Sequence, residues 1–303
     1  MDKEKQSNIV PAIYALGFFD GVHLGHQALL SACRELANKL SCKAGAVTFT
    51  THPLAVVSGD APKLINTPAD RKKLLSEQFY MDTVVEIPFN QEIMELSWTA
   101  FLSLLQAEYG AAGFVCGDDF RFGYQGEGTA ADLQTYCRQM DIPCMIVPEQ
   151  KLEAHRVSST YIRRLLEQGD MKRAVKFLGH PHMLSGTVIS GKHIGTTLGT
   201  PTANLEIPGD VVIPRKGVYA CRAYVEGGSY LAVTNIGTRP TVSGEGITIE
   251  AWLLDFAGDL YGKSLTLAFY DFLREEKKFD TLEQLQEEIL KNALQTRKIL
   301  EKS

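Results

Sequence analysis

The chain has 303 residues, 45% of them hydrophobic and 22% charged, with a formal net charge of −5. That length suits two domains with their own cores, and the mildly acidic balance argues against nucleic acid or an anionic membrane as partner. An anionic substrate would have to be held by local features. No apolar run approaches the ~20 residues that cross a bilayer, and the polar start MDKEKQSN lacks the apolar stretch of a signal peptide. The six cysteines show no CxxC spacing and read as reduced thiols, so the expected compartment is the cytoplasm.

Short apolar runs at 9–17, 43–50, 82–89, 111–117 and 142–148 alternate with the amphipathic stretches HQALLSACRELANKL, PADRKKLLSEQF, TAFLSLLQAEY and AADLQTYCRQM. That order predicts a parallel sheet covered by helices on both faces. Two more helical patterns, SSTYIRRLLEQG and DMKRAVKFLG, close this half. Beyond about residue 183 the helical period gives way to short strands, and EGGS at 226–229 reads as a hairpin turn. Only the tail TLEQLQEEILKNALQTRKILE returns to a helix, with Thr281 as its N-cap. The expected architecture is α/β plus β: a Rossmann-like domain over 1–183, then a small antiparallel barrel with a terminal helix over 184–303.

The stretch LGFFDGVHLGHQALL, residues 16–30, joins the first strand to the first helix. In such sheets ligands bind beyond the carboxyl ends of the strands, and free N–H groups at a helix start favour anions. Gly17, Gly21 and Gly25 would let backbone come close to a phosphate. His23 and His26, three apart, would share one face of the helix start and offer ring N–H groups to phosphate oxygens. A zinc site is disfavoured, because no thiols or carboxylates stand at ligand spacing and HExxH is absent.

GFFDGVHLGH resembles the signature of the HxGH nucleotidyltransferases in the version used by bacterial FAD synthetases. TFTTHP (48–53), CGDDFRFGYQGEG (116–128) and RVSSTYIRRLL (156–166) follow in the order of that family. The second half is similar to riboflavin kinase in LGTPTANL (198–205), KGVYA (216–220), TNIGTRPTV (234–242), IEAWLLDFAGDLYG (249–262) and FLREEKKF (272–279). Nearly the whole chain thus resembles the bifunctional riboflavin kinase/FMN adenylyltransferases. For the first half the resemblance implies that the FMN phosphate attacks the α-phosphorus of ATP, with FAD and pyrophosphate as products. His23, His26 and Arg163 would neutralise the developing charge, and Mg²⁺ would bridge the phosphates. Gly17, Phe18, Asp20, Gly21, Gly25, Ser158, Ser159 and Thr160 would line the phosphate site. His52, Asp119, Phe120, Phe122 and Gly123 would shape a flavin or nucleotide pocket, with Phe120 and Phe122 equally readable as core.

For the second half the resemblance implies phosphorylation of riboflavin by ATP. Thr202 and Asn204 would hold Mg²⁺, and Glu250 would take the proton of the riboflavin 5′-hydroxyl. GTVISGKH (186–193) nearly matches a phosphate-binding loop, but it ends in His193 and no helical pattern follows, so it is rejected as one. This half departs from the family pattern at three places: Thr196 stands where an arginine is usual, Thr200 where a bulky residue is common, and Trp252 where histidine is frequent. The readings are therefore a kinase, weakened by the lost cation, or a domain that only binds flavin or nucleotide. Flavins and ATP are the expected partners, and self-association is left open.

Overall fold

The structure, a computed structural model, describes residues 10–190, 200–241 and 244–301. Contacts divide it into two compact units. One takes the chain up to Lys63 together with Arg71–Ser158, and the other takes Leu64–Asp70 and everything from Ser159 onward.

The first unit runs β1 (Ala12–Leu16), α1 (Leu24–Lys39), β2 (Lys43–Phe49), the short α2 (Pro53–Val57), α3 (Pro68–Lys73, begun in the other unit), β3 (Thr83–Ile87), α4 (Gln91–Met94), α5 (Trp98–Tyr109) and β4 (Ala111–Gly117). A small hairpin of β5 (Arg121–Phe122) and β6 (Gly128–Thr129) follows, then α6 (Ala130–Gln139), β7 (Cys144–Val147) and a second hairpin of β8 (Lys151–Leu152) and β9 (His155–Arg156). The five main strands pair in the order β3-β2-β1-β4-β7, all parallel. All five residues of β1 are buried, as an apolar run covered on both faces requires. Strand order reverses at β1, whose neighbours are β2 and β4, and that is where an open sheet of this kind opens its ligand crevice. Ser97 caps α5 and Gly110 ends it in the left-handed region, while Thr129 and Asp132 form a capping box on α6.

In the second unit α7 (Ser159–Gln168) and α8 (Met171–Leu178) precede six strands: β10 (His182–Ile189), β11 (Ala203–Glu206), β12 (Gly217–Val225), β13 (Gly228–Thr241), β14 (Gly244–Leu253) and β15 (Ser264–Arg274). They close into a barrel in the order β10-β11-β14-β13-β12-β15, with α9 (Leu282–Leu300) at the end. The hairpin between β12 and β13 turns on Glu226 and Gly227, both at positive φ, the geometry that matches strand twist in a two-residue loop. α8 buries Met171, Ala174, Phe177 and Leu178 and packs against β15 and β10. Thr281 caps α9 by accepting from the Gln284 N–H. The α/β sheet followed by a closed barrel and a terminal helix is the architecture the sequence predicts.

Candidate active sites

The turn between β1 and α1 is bent against ordinary preference. Phe19, Gly21 and Val22 all have positive φ, at 58°, 82° and 39°. For phenylalanine and a β-branched valine this conformation costs about 1–3 kcal/mol each and survives only where surroundings enforce it. Here they do: both side chains are fully buried, contributing a similar amount each. The Val22 N–H also donates to the Phe19 carbonyl, and the Thr48 hydroxyl donates to the Phe18 carbonyl at 2.8 Å.

That turn delivers His23 as the N-cap of α1. Its Nδ1 accepts from the His26 backbone N–H at 3.3 Å, which leaves Nε2 as the proton-bearing nitrogen. The two imidazoles stack at 3.6 Å between centroids, 11° from parallel, and the edge of Phe19 closes on His26. A Cβ on Gly25 would stand 3.2 Å from the His23 ring, so the glycine makes room for the stack. Burial holds the pKa of His26 well below its ordinary value, with His23 and then Arg71 adding to the effect. His26 is therefore neutral, and its buried Nδ1 has no hydrogen-bond partner among the described residues. A neutral ring with an unsatisfied nitrogen, at a helix start and beyond a strand end, suits an incoming anion.

Around this pair the other predicted residues take distinct places. Asp20 is buried, and Phe18 lies edge-on to His52 at 4.7 Å. His52 itself caps α2 by accepting from the Leu54 N–H. Asp119 is exposed and ion-paired to Arg156, which also holds Glu149 at 3.0 Å. Phe122 belongs to the core of the first unit, and Phe120 stacks on it at 5.4 Å from the core's edge. Gly123, at φ 75°, lies where a Cβ would meet the Trp98 backbone at 2.5 Å, so its role is close packing. Ser158 ends the first unit, whereas Ser159, Thr160 and Arg163 open α7 in the second.

The barrel assembles its polar group by register. Asn204 of β11 pairs directly with Glu250 of β14, and Glu250 pairs on its other side with Asn235 of β13. Direct partners project to the same face, so the three form a row while Ile249 and Ala251 point into the core. Thr202 is exposed just ahead of β11. Gly237 leaves room for Glu276, whose Oε1 would stand 2.4 Å from a Cβ there. Asn235 lies within the TNIGTRPTV stretch that resembles riboflavin kinase, but the sequence alone assigns it no role. Trp252 packs with Val218, Val233, Leu254 and Ala293 of α9, filling the seam between strands and terminal helix. Thr200 is buried, and Thr196 and His193 lie outside the described residues. Gly186–Ile189 runs inside β10, a strand and not a phosphate loop.

Comparison with known proteins divides the chain in the same order. The family model for FAD synthetase matches residues 5–161, and that for riboflavin kinase matches residues 178–300. A bifunctional riboflavin kinase/FMN adenylyltransferase from Listeria monocytogenes is 35% identical over 94% of this chain and 91% of its own length. Its namesakes from Bacillus subtilis and Escherichia coli K12 are each 34% identical, covering 96% and 94% of this chain and 92% and 91% of their own. A solved structure described as a macrolide-efflux protein from Streptococcus pneumoniae superposes with a TM-score of 0.85 at 29% identity, over 98% of this chain and 97% of that one. Among the described residues no helix is long and apolar enough to cross a membrane.

Proposed function

The chain belongs to the family of bifunctional riboflavin kinases/FMN adenylyltransferases, and from that premise we propose how its own residues divide the work. It carries both activities of FAD biosynthesis: ATP phosphorylates riboflavin to FMN, and a second ATP gives its AMP to FMN with release of pyrophosphate. A second half that only binds is not favoured, since the matched relatives bear both activities in their names.

Adenylyl transfer belongs to the first unit, and the stacked His23–His26 pair is the observation that carries this assignment. An oxygen of the FMN phosphate attacks the α-phosphorus of ATP and pyrophosphate leaves, so no protein nucleophile is needed and catalysis is positioning and charge neutralisation. His23 offers its Nε2–H to a phosphate oxygen. His26 is neutral until negative charge arrives beside it, and growing charge in the transition state then strengthens its hold. Gly17, Phe18, Asp20, Gly21 and Gly25 form the phosphate turn, while His52, Asp119 and Phe120 set the walls of the flavin or nucleotide pocket and Phe122 and Gly123 belong to the packing behind it. Ser158, the last residue of that unit, is a further phosphate ligand.

Phosphorylation of riboflavin belongs to the barrel. Glu250 accepts the proton of the flavin 5′-hydroxyl, with Asn204 and Asn235 on either side to orient the carboxylate. Thr202 and Asn204 supply oxygen donors of the kind Mg²⁺ takes; when bound, the metal would draw charge from the ATP phosphates. We assign the enzyme to the cytoplasm, where reduced thiols and ATP coexist, and leave self-association among the readings to test. Incubating the protein with ATP and Mg²⁺, once with riboflavin and once with FMN, and separating the flavins by chromatography checks both assignments. FAD from both tubes is expected. Conversion of FMN alone would remove the kinase from the barrel, and no FAD from FMN would remove the role of His23 and His26.

A further inference from the structure

Arg71 is the largest fully buried side chain among the described residues, with no exposed surface. Among the described residues it has no salt bridge. Its Nη2 donates to the Phe49 carbonyl at the end of β2, and its guanidinium lies over the Phe18 ring, 4.4 Å from the centroid, at the end of β1. The remaining groups, Nε and Nη1, are buried with no hydrogen-bond partner among the described residues. Asp20 and Glu86 are the carboxylates whose fields reach it, and Glu86 is already ion-paired to Lys72 at 2.7 Å. Burial pulls the Arg71 pKa down, yet arginine stays charged at any ordinary pH. A buried cation with unsatisfied N–H groups is costly to keep. The single hydrogen bond to the Phe49 carbonyl and the contact with Phe18 leave two of its nitrogens unanswered.

What surrounds it supplies the reason. Arg71 acts electrostatically on His26, whose own Nδ1 is also orphaned, and both lie beyond the carboxyl ends of adjacent parallel strands. Phe18 under the guanidinium and Phe49 behind it fix the planar fork in place. Three unsatisfied nitrogens, two of them on the cationic guanidinium, gather at the strained turn. We infer that Arg71 is a substrate-binding residue of the adenylyltransferase site, its free Nε and Nη1 donating to a phosphate group of a substrate. The inference rests on the assignment of adenylyl transfer to this unit. ATP and FMN both bring phosphate there, and a guanidinium fork suits either.

The test uses the full-length enzyme and two variants, Arg71→Gln and Arg71→Lys, with riboflavin phosphorylation by the same preparations as a check on folding. FAD synthesis is measured against ATP and against FMN, and its reversal against pyrophosphate. Arg71→Gln is expected to raise the KM of a phosphate substrate at least tenfold, and Arg71→Lys, which keeps the charge and loses the fork, to recover part of that. A rise for ATP and pyrophosphate alone assigns the contact to the triphosphate, and a rise for FMN alone assigns it to the flavin phosphate. Parameters within twofold of the wild type would overturn the inference. So would an equal fall of kcat in both variants with every KM unchanged, the mark of a brace for the Phe18 and Phe49 strand ends. If the wild type itself made no FAD from FMN, the assignment of the unit would fall instead.

Discussion

The two units build their sites by opposite means. In the α/β unit the polar groups gather past the ends of strands, on backbone forced to positive φ at Phe19 and Val22, with His26 and Arg71 left buried and unsatisfied. In the barrel the polar row Asn204–Glu250–Asn235 lies on ordinary strand backbone, its alignment set by ladder register, with each side chain only half-buried. A site of strand ends concentrates unsatisfied donors where an anion can complete them, and the rest of the unit must hold a strained turn in place. A site on a barrel face inherits its geometry from hydrogen bonds that the fold needs anyway, and so holds a general base without strain.

That contrast breaks first if the units are not independent. Glu250→Gln should lower riboflavin phosphorylation by about 10²–10⁴-fold and leave FAD formation from FMN at the wild-type rate. His26→Ala should do the converse, costing about 10²–10³ in adenylyl transfer with kinase turnover intact. Separate kinetics on riboflavin and on FMN read both, and cross-effects in either direction would dissolve the division. A smaller gain is expected at Thr196, which stands where the resemblance to riboflavin kinases implies an arginine. Thr196→Arg should raise kinase turnover by about 10-fold or somewhat more, and an unchanged rate would remove that explanation of the departure.

Acid sharpens the comparison through histidines. Burial, with His180 adding to it, holds His182 in the barrel down to about 3, so the folded barrel refuses a proton that the unfolded chain takes up below about 6.5. The stability this gives is present above that value and is lost as pH falls, by about 2 kcal/mol at pH 5. His26 shifts in the same direction, so the α/β unit also weakens in acid until a bound anion stabilises its charged form. Denaturant midpoints at pH 7 and pH 5 measure the loss, and His182→Leu should flatten the barrel's share of it. The smallest effect expected is that of Gly25→Ala. Its Cβ would stand 3.2 Å from the His23 ring, and tilting the stack by a few tenths of an ångström should slow FAD synthesis about 10-fold while thermal stability barely changes.

Much of this was written in the chain. Buried apolar runs spaced by amphipathic helices specify a parallel sheet because strands covered on both faces need continuous apolar sequence. GFFDGVHLGH is legible because its glycines let backbone come close to a ligand and a short spacing brings two histidines onto one helix start. The positive φ of Phe19 and Val22, by contrast, has no sequence signal. Glu250 and Asn204 were legible by their motifs, yet their meeting was not, and neither was the role of Asn235, which stands fifteen residues away and meets Glu250 only through the register of β13 on β14. Trp252 read as a departure from a pattern, and the fold shows it as packing beneath α9. Arg71 was the least visible. In PADRKKLL it reads as one more cation on a solvated helix face, because local periodicity records which residues alternate and not what covers them. Sequence by itself determined the two architectures and the motifs at their hearts, since those follow from short-range pattern and backbone preference. Which polar groups end up buried together, and which of them stay unsatisfied, was decided by strand order and packing between segments far apart in the chain.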